Sequence, residues 1–315
     1  MAHSHQRGIA LVALLIAMPV IWFAARGSWQ IATATQDSMQ QQRAVDRSAY
    51  SMAAKSAEVL NAIAINNQSI IGAHLLQGHL VTQMAWTRYA VQLTLRGSLA
   101  MGWAAPSAAA SASAMAQRAL QVQQIQFPIW SKSLELAAHG YALANRLALM
   151  QLATQLSQIN QRSGAGLTQL RVDPTQLAAF KTQGFTGQVR AQALAGREWL
   201  HQRSWSQSFF GLMRLNKAGS SQESNGQWSA SDQLTFKVRK WFKTKTITVA
   251  AGHASSSESG YQGPAALTAL TREALWLGAV AGAQSASASV KPLQHSQVDQ
   301  VLLAPVWHAE LEARL

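Results

Sequence analysis

The chain has 315 residues, 48% hydrophobic and 12% charged, with 26 Lys+Arg against 13 Asp+Glu and a formal charge of +13. So apolar a composition excludes general disorder, and the absence of cysteine excludes disulfide staples, thiolate metal sites and a cysteine nucleophile. The surplus of cations suits anionic partners such as lipid headgroups, lipopolysaccharide or nucleic acid, without choosing among them.

Residues 1–8 read as a short leader. Ile9 to Ala25 is an uncharged run flanked by Arg7 and Arg26. At 1.5 Å per residue it spans roughly 25 Å, the lower edge of what crosses a bilayer. Pro19 is tolerated better in a membrane helix than in a soluble one, and Trp22, Phe23 and Trp29 stand where an interfacial aromatic belt would be. The expectation is a retained single-pass anchor over 9–25, with a cytoplasmic N-terminus, an inner-membrane location and a periplasmic body. A small-x-small site at Ala32-Thr33-Ala34 offers the alternative of a cleaved secretory signal.

From Gln36 to about Trp103 there is no proline, and Val45, Ala49, Met52, Val59, Ile63 and Ile70 recur at helical spacing. This predicts one long helix over 36–103, with Gly72, Gly78 and Gly97 as candidate bends. The stretch 104–116, AAPSAAASASAMA, reads as an Ala/Ser linker. Residues 117–215 read as a helical region, broken at Pro128, that pairs with the first helix as a hairpin or bundle, and Asp173-Pro174 opens a further short helix. In the C-terminal region, 216–315, LTFKV (234–238) and KTKTITV (243–249) have the alternation and β-branching of two strands. GSSQESNGQWSASD (219–232), GHASSSESGYQGP (252–264) and GAQSASAS (282–289) read as polar loops, and Pro264 to Val280 as a helix. The fold class expected is therefore α+β, mainly α: a transmembrane helix running into a long helix, a helical hairpin or bundle, and a small C-terminal β element.

Chemistry-bearing motifs are few. His74 and His79 lie five apart, so they do not share a helix face as a metal pair would. The carboxylates are scattered, and no GxSxG, HExxH, P-loop or dinucleotide fingerprint occurs. The reading is non-enzymatic, with no cofactor and no metal. Asn61, Asn66 and Asn67 interrupt an otherwise apolar helix and are assigned to fixing helix register or to an interface with a partner helix. The segment FKVRKWFKTK carries Lys237, Arg239, Lys240, Lys243 and Lys245 around Trp241 and Phe242. Basic residues interleaved with aromatics fit an anionic polymer, a membrane surface or, less well, nucleic acid. They also fit a solvated strand whose lysines discourage edge pairing.

The stretch RGIALVALLIAMPVIWFAARG, the D-x-SAYS segment at Asp46 to Ser51 and the LN-x-x-A-x-x-N segment at Leu60 to Asn66 together resemble the TadE/TadG-like proteins of Tad/Flp pilus assembly. WSASDQLT (228–235) and the closing LLAPVWHAELEARL (302–315) are similar to that family too. The resemblance implies a minor-pilin-like structural or assembly component of a Tad-like pilus or secretion machine, packing on the machine's other proteins through its helices. It also implies prepilin-type processing between Gly8 and Ile9. The fifth residue beyond Gly8 is Ala13, where several subfamilies have Glu, and this fits the TadG-like members whose helix serves as an anchor.

Overall fold

The computed structural model describes residues 3–102, 104–162, 169–172, 182–183, 203–209, 213–240, 243–270, 274–281, 283–293 and 306–311; for residues 3–16, 101, 153, 160–162, 169–172, 182–183 and 240 it describes the backbone alone. Two helices dominate. Helix α1 runs from His3 to Met101 and α2 from Pro106 to Arg162. At 1.5 Å per residue they are about 150 Å and 85 Å long. They fold back on each other as an antiparallel hairpin, as the pairings Asn66–Asn145 and Gln77–Ser131 require.

Two of the expected breaks are absent for physical reasons. The Ala/Ser stretch is the start of α2: alanine is the best helix former, and Pro106 occupies the first helical position, where a missing N–H costs nothing. At Pro128 the helix continues because both flanks are held, Phe127 by burial and Ser131 by its bond to Gln77.

The β part is large, and this corrects the expected fold class. Strands β1 (Gln169–Val172), β8 (Leu275–Ala281), β9 (Gln284–Pro292) and β10 (Trp307–Leu311) form an antiparallel sheet in the order β1-β8-β9-β10. Strands β3 (Trp205–Phe209), β4 (Met213–Ser224), β5 (Gln227–Lys240) and β6 (Lys243–Ser255) form a second, an up-and-down meander. A two-residue ladder, β2 (Thr182–Gln183) with β7 (Leu267–Thr268), lies apart from both. The expected loops 219–232 and 282–289 are therefore strands, and the expected helix over 264–280 is β7 and β8. The short helix expected at Asp173-Pro174 lies outside the described residues.

The helical hairpin is a spine on which the sheets are strung. Val45, Met52, Leu60 and Ile63 of α1, with Leu152 and Leu156 of α2, pack under Leu275, Leu277, Ala279, Ala288 and Val290 of the first sheet. Further along, Val81, Met84 and Ala85 of α1 and Phe127 of α2 pack under Trp228, Ala230 and Ala254 of the second sheet. Small residues set the spacing here. A Cβ at Gly78 would stand 2.8 Å from the indole of Trp228, and one at Gly252 would run into the backbone of Ala85 and Tyr89. Strand β6 thus rests almost directly on the backbone of α1.

The single-pass anchor over 9–25, and with it the inner-membrane placement with a cytoplasmic leader and a periplasmic body, is corrected: among the described residues no helix is long and apolar enough to cross a membrane. The uncharged run is short of the ~20 residues that span a bilayer core. The same helix continues without a break through Arg26, Gln30, Gln36 and Asp37.

Candidate interaction surfaces

The three asparagines are spent inside the chain. Asn61 Nδ2 donates to the Trp307 carbonyl at 3.1 Å, and Trp307 N–H donates to Asn61 Oδ1 at 2.7 Å. Asn67 repeats this with Thr268, donating to its carbonyl at 2.7 Å and accepting from its N–H at 3.2 Å. In each case a side-chain amide on α1 acts as a peptide group would in a ladder and satisfies one residue of a strand. Asn145 of α2 closes the set, accepting from Asn66 at 2.8 Å and donating to Asn67 at 3.2 Å. These bonds fix the position of the strands along the helix. Asn67→Ala is expected to lower stability by about 3 kcal/mol, because it orphans both polar groups of buried Thr268 and one of Asn145; urea denaturation measures this.

A second polar seam joins the helices to the loop after β6. Gln77 Nε2 donates to Ser131 Oγ at 2.7 Å, and Ser131 and Ser259 hydroxyls lie 2.6 Å apart. Buried His74 lies with Nδ1 2.8 Å from the Tyr261 hydroxyl. His79 is half-buried. Burial, and then the carboxylates of Glu135 and Glu223, push the Tyr261 phenol well above its ordinary value. A raised phenol pKa means that the folded state holds its proton more tightly than the unfolded one. The stabilisation is complete below about pH 10 and is lost as pH rises beyond it toward the folded value. Thermal melts should therefore fall steeply above about pH 10, and Tyr261→Phe should flatten that limb while costing about 1 kcal/mol at neutral pH.

Two features face outward. The first is the N-terminal part of α1, which extends beyond the other described elements. From Ala17 to Asp37 the side chains are exposed, Gly27 aside, and the first link to the body is Ser38, which accepts from Gln284. Met18, Val20, Ile21, Trp22, Phe23, Trp29 and Ile31 are each 65–73% exposed. At 3.6 residues per turn they point to all sides of the helix. Gly8 and Ile9 belong to the helical start of this arm, and their side chains lie outside the described residues.

The second is the far end of the meander. Lys237, Arg239, Lys243 and Lys245 are exposed, Lys240 stands opposite Lys243 in register, and Trp241 and Phe242 lie outside the described residues. Register pairs Arg214 of β4 with Lys237 of β5, a cation that the sequence reading did not connect to the basic stretch. The turn at Asn225-Gly226, with φ of 52° and 79°, makes that connection: two consecutive left-handed residues are the mark of a tight hairpin, and they fold β4 onto β5. Asp232 stands on the face opposite Arg214, Lys237 and Arg239, and its carboxylate is buried against Arg203 at 3.1 Å and Lys217 at 3.6 Å. Compared with known proteins, the chain matches no family model, no curated protein and no solved structure.

Proposed function

We propose that the chain is a non-enzymatic structural subunit of a larger assembly, joined to its neighbours by packing the arm of α1 among their helices. The observation that carries this reading is the distribution of apolar side chains on the arm. A helix that is hydrophobic on one stripe packs on one neighbour, but a helix that is hydrophobic all round has to be enclosed. Trp22, Phe23 and Trp29 are the anchors, since large aromatics contribute most of the area and energy at such contacts. The body, with its strands locked to α1 by asparagine amides, is a rigid head on that arm. The resemblance to TadE/TadG-like proteins supports a pilus-assembly machine of the Tad kind as the setting.

Trp22, Phe23 and Trp29 are exposed among the described residues, so replacing them leaves the body intact. The triple variant Trp22→Ser, Phe23→Ser, Trp29→Ser is expected to sediment as a monomer with unchanged circular dichroism, whereas the parent chain forms higher species. Equal assembly of variant and parent would refute the reading.

A further inference from the structure

The outer face of the meander carries no carboxylate. Its side chains follow from the register. One row across the sheet holds Ser206, Asn216, Thr235 and Thr248; the next holds Ser208, Arg214, Lys237 and Thr246; the last described row holds Arg239 and Thr244. Nearer the Asn225-Gly226 turn the same face continues with Ser220, Ser231 and His253. The carboxylates of the sheet, Glu223 and Asp232, sit on strand positions that point to the other face.

The charge is concentrated at one end. No Asp or Glu occurs in 205–217 or 233–248, and none in the adjoining part of the helical hairpin between Glu58 and Glu135. Arg96 of α1 reaches the same edge, donating to the Thr248 carbonyl at 2.5 Å. Arg214 faces Lys237 across neighbouring strands, and Arg239 follows two residues along on the same face. Like charges directly opposite one another cost stability, roughly 0.2–1 kcal/mol per pair. A strand that only needed solubility or protection from edge pairing could place its lysines opposite carboxylates or threonines. Such an opposition, kept beside Arg239 on the same face, is explained by an anion that lies between the cations.

We propose that this face binds an acidic polysaccharide, with Arg214, Lys237 and Arg239 holding its carboxylate or sulfate groups. The choice between polyanions rests on the neighbours of the cations. Alternate residues on a strand are about 6.6–6.8 Å apart and neighbouring strands about 4.8 Å apart, so cations and hydroxyls form a regular grid. Ser206, Ser208, Thr244, Thr246 and Thr248 each both donate and accept, which matches sugar hydroxyls. Phosphodiester oxygens only accept. Among the described residues no aromatic ring stands beside Arg214, Lys237 and Arg239 on this face for a nucleobase to stack on; His253 lies nearer the Asn225-Gly226 turn. The site is separate from the arm, so it adds a ligand to the proposed assembly role and does not depend on it.

The test uses the full chain and fluorescence anisotropy at fixed salt. The probes are a heparin dodecasaccharide, an oligogalacturonate, neutral dextran, and single-stranded and duplex DNA of matched charge. The heparin fragment or the oligogalacturonate is expected to bind more tightly than either DNA, with dextran not binding. Which of the two glycans binds tells sulfate from carboxylate. Arg214→Gln, Lys237→Gln, Arg239→Gln together should weaken the glycan at least about 10-fold and lower the slope of log affinity against log salt by two to three, as expected when three cations no longer release counterions. The charge-conserving Arg214→Lys, Lys237→Arg, Arg239→Lys should keep affinity and melt with the parent, and the glutamine variant should melt no lower, because these side chains are exposed and one like-charge opposition is removed. Tighter binding of DNA, no glycan binding, or a triple glutamine variant that binds like the parent would each overturn the proposal.

Discussion

Gly252→Val is expected to destabilise the chain by more than about 3 kcal/mol, enough to release the second sheet from the spine. The reason is backbone contact. The position of a Cβ on Gly252 coincides with the Ala85 carbonyl and the Tyr89 amide, and helix backbone cannot move aside as a long side chain can. Inserting even a methyl group therefore pushes β6 off α1. It also pulls away the bond from the Ala251 amide to Gln92 at 3.0 Å and that from Arg88 to the His253 carbonyl at 2.5 Å. Chemical denaturation of Gly252→Ala and Gly252→Val should show a graded loss. Parent-like stability of the valine variant would mean that strand and helix are not in direct contact.

Trp228→Ala is expected to cost about 4 kcal/mol, the usual loss when a large aromatic is removed from a core. Trp228 is fully buried at the centre of the second sheet's contact with α1. Its ring covers Gly78 and lies 5.5 Å, centroid to centroid, from His74, so its loss leaves a void bordered by a polar group. Gly78→Ala should be destabilising too, by about 1–3 kcal/mol, since the added carbon meets the indole at 2.8 Å. The double variant Gly78→Ala, Trp228→Ala should cost less than the sum of the two, because the alanine at 78 enters the space the indole vacates.

The helical part of this architecture was the more legible. Val45, Ala49, Met52, Ile63 and Ile70, chosen for their spacing, are all buried along α1. The sheets were hidden because their strands are built from small residues. In β8 the buried positions are Leu275, Leu277, Ala279 and Ala281, and β9 buries Ala288 and Val290 among serines. Alanine weighs toward helix and serine toward loop when each is read by itself, and only the period of two shows the strand. The Asn-Gly pair at 225–226 is the one strong local sign of a hairpin in that region, set within a polar stretch that reads as loop.

The candidate surfaces divide in the same way. The basic residues of 237–245 were visible as a run, but their face, and the addition of Arg214, depended on register. The asparagines were visible as polar interruptions. That each one bonds a strand or the second helix depends on contacts across as many as 246 residues of chain, which no local pattern encodes. The arm was read as a bilayer span because its apolar residues are contiguous. Its exposed large side chains are apolar on all sides of the helix.

The chain has no cysteine, so single cysteines placed on the arm can be followed without background. Oxidative cross-linking of Ile21→Cys and of Phe23→Cys, compared with Gln222→Cys on the exposed face of β4, is the most direct measurement of arm-mediated assembly. Enclosure of the arm by neighbouring helices predicts rapid intermolecular cross-links at 21 and at 23, a ladder beyond the dimer when both are present, and none at 222. Cross-linking at the arm no faster than at 222 would contradict it.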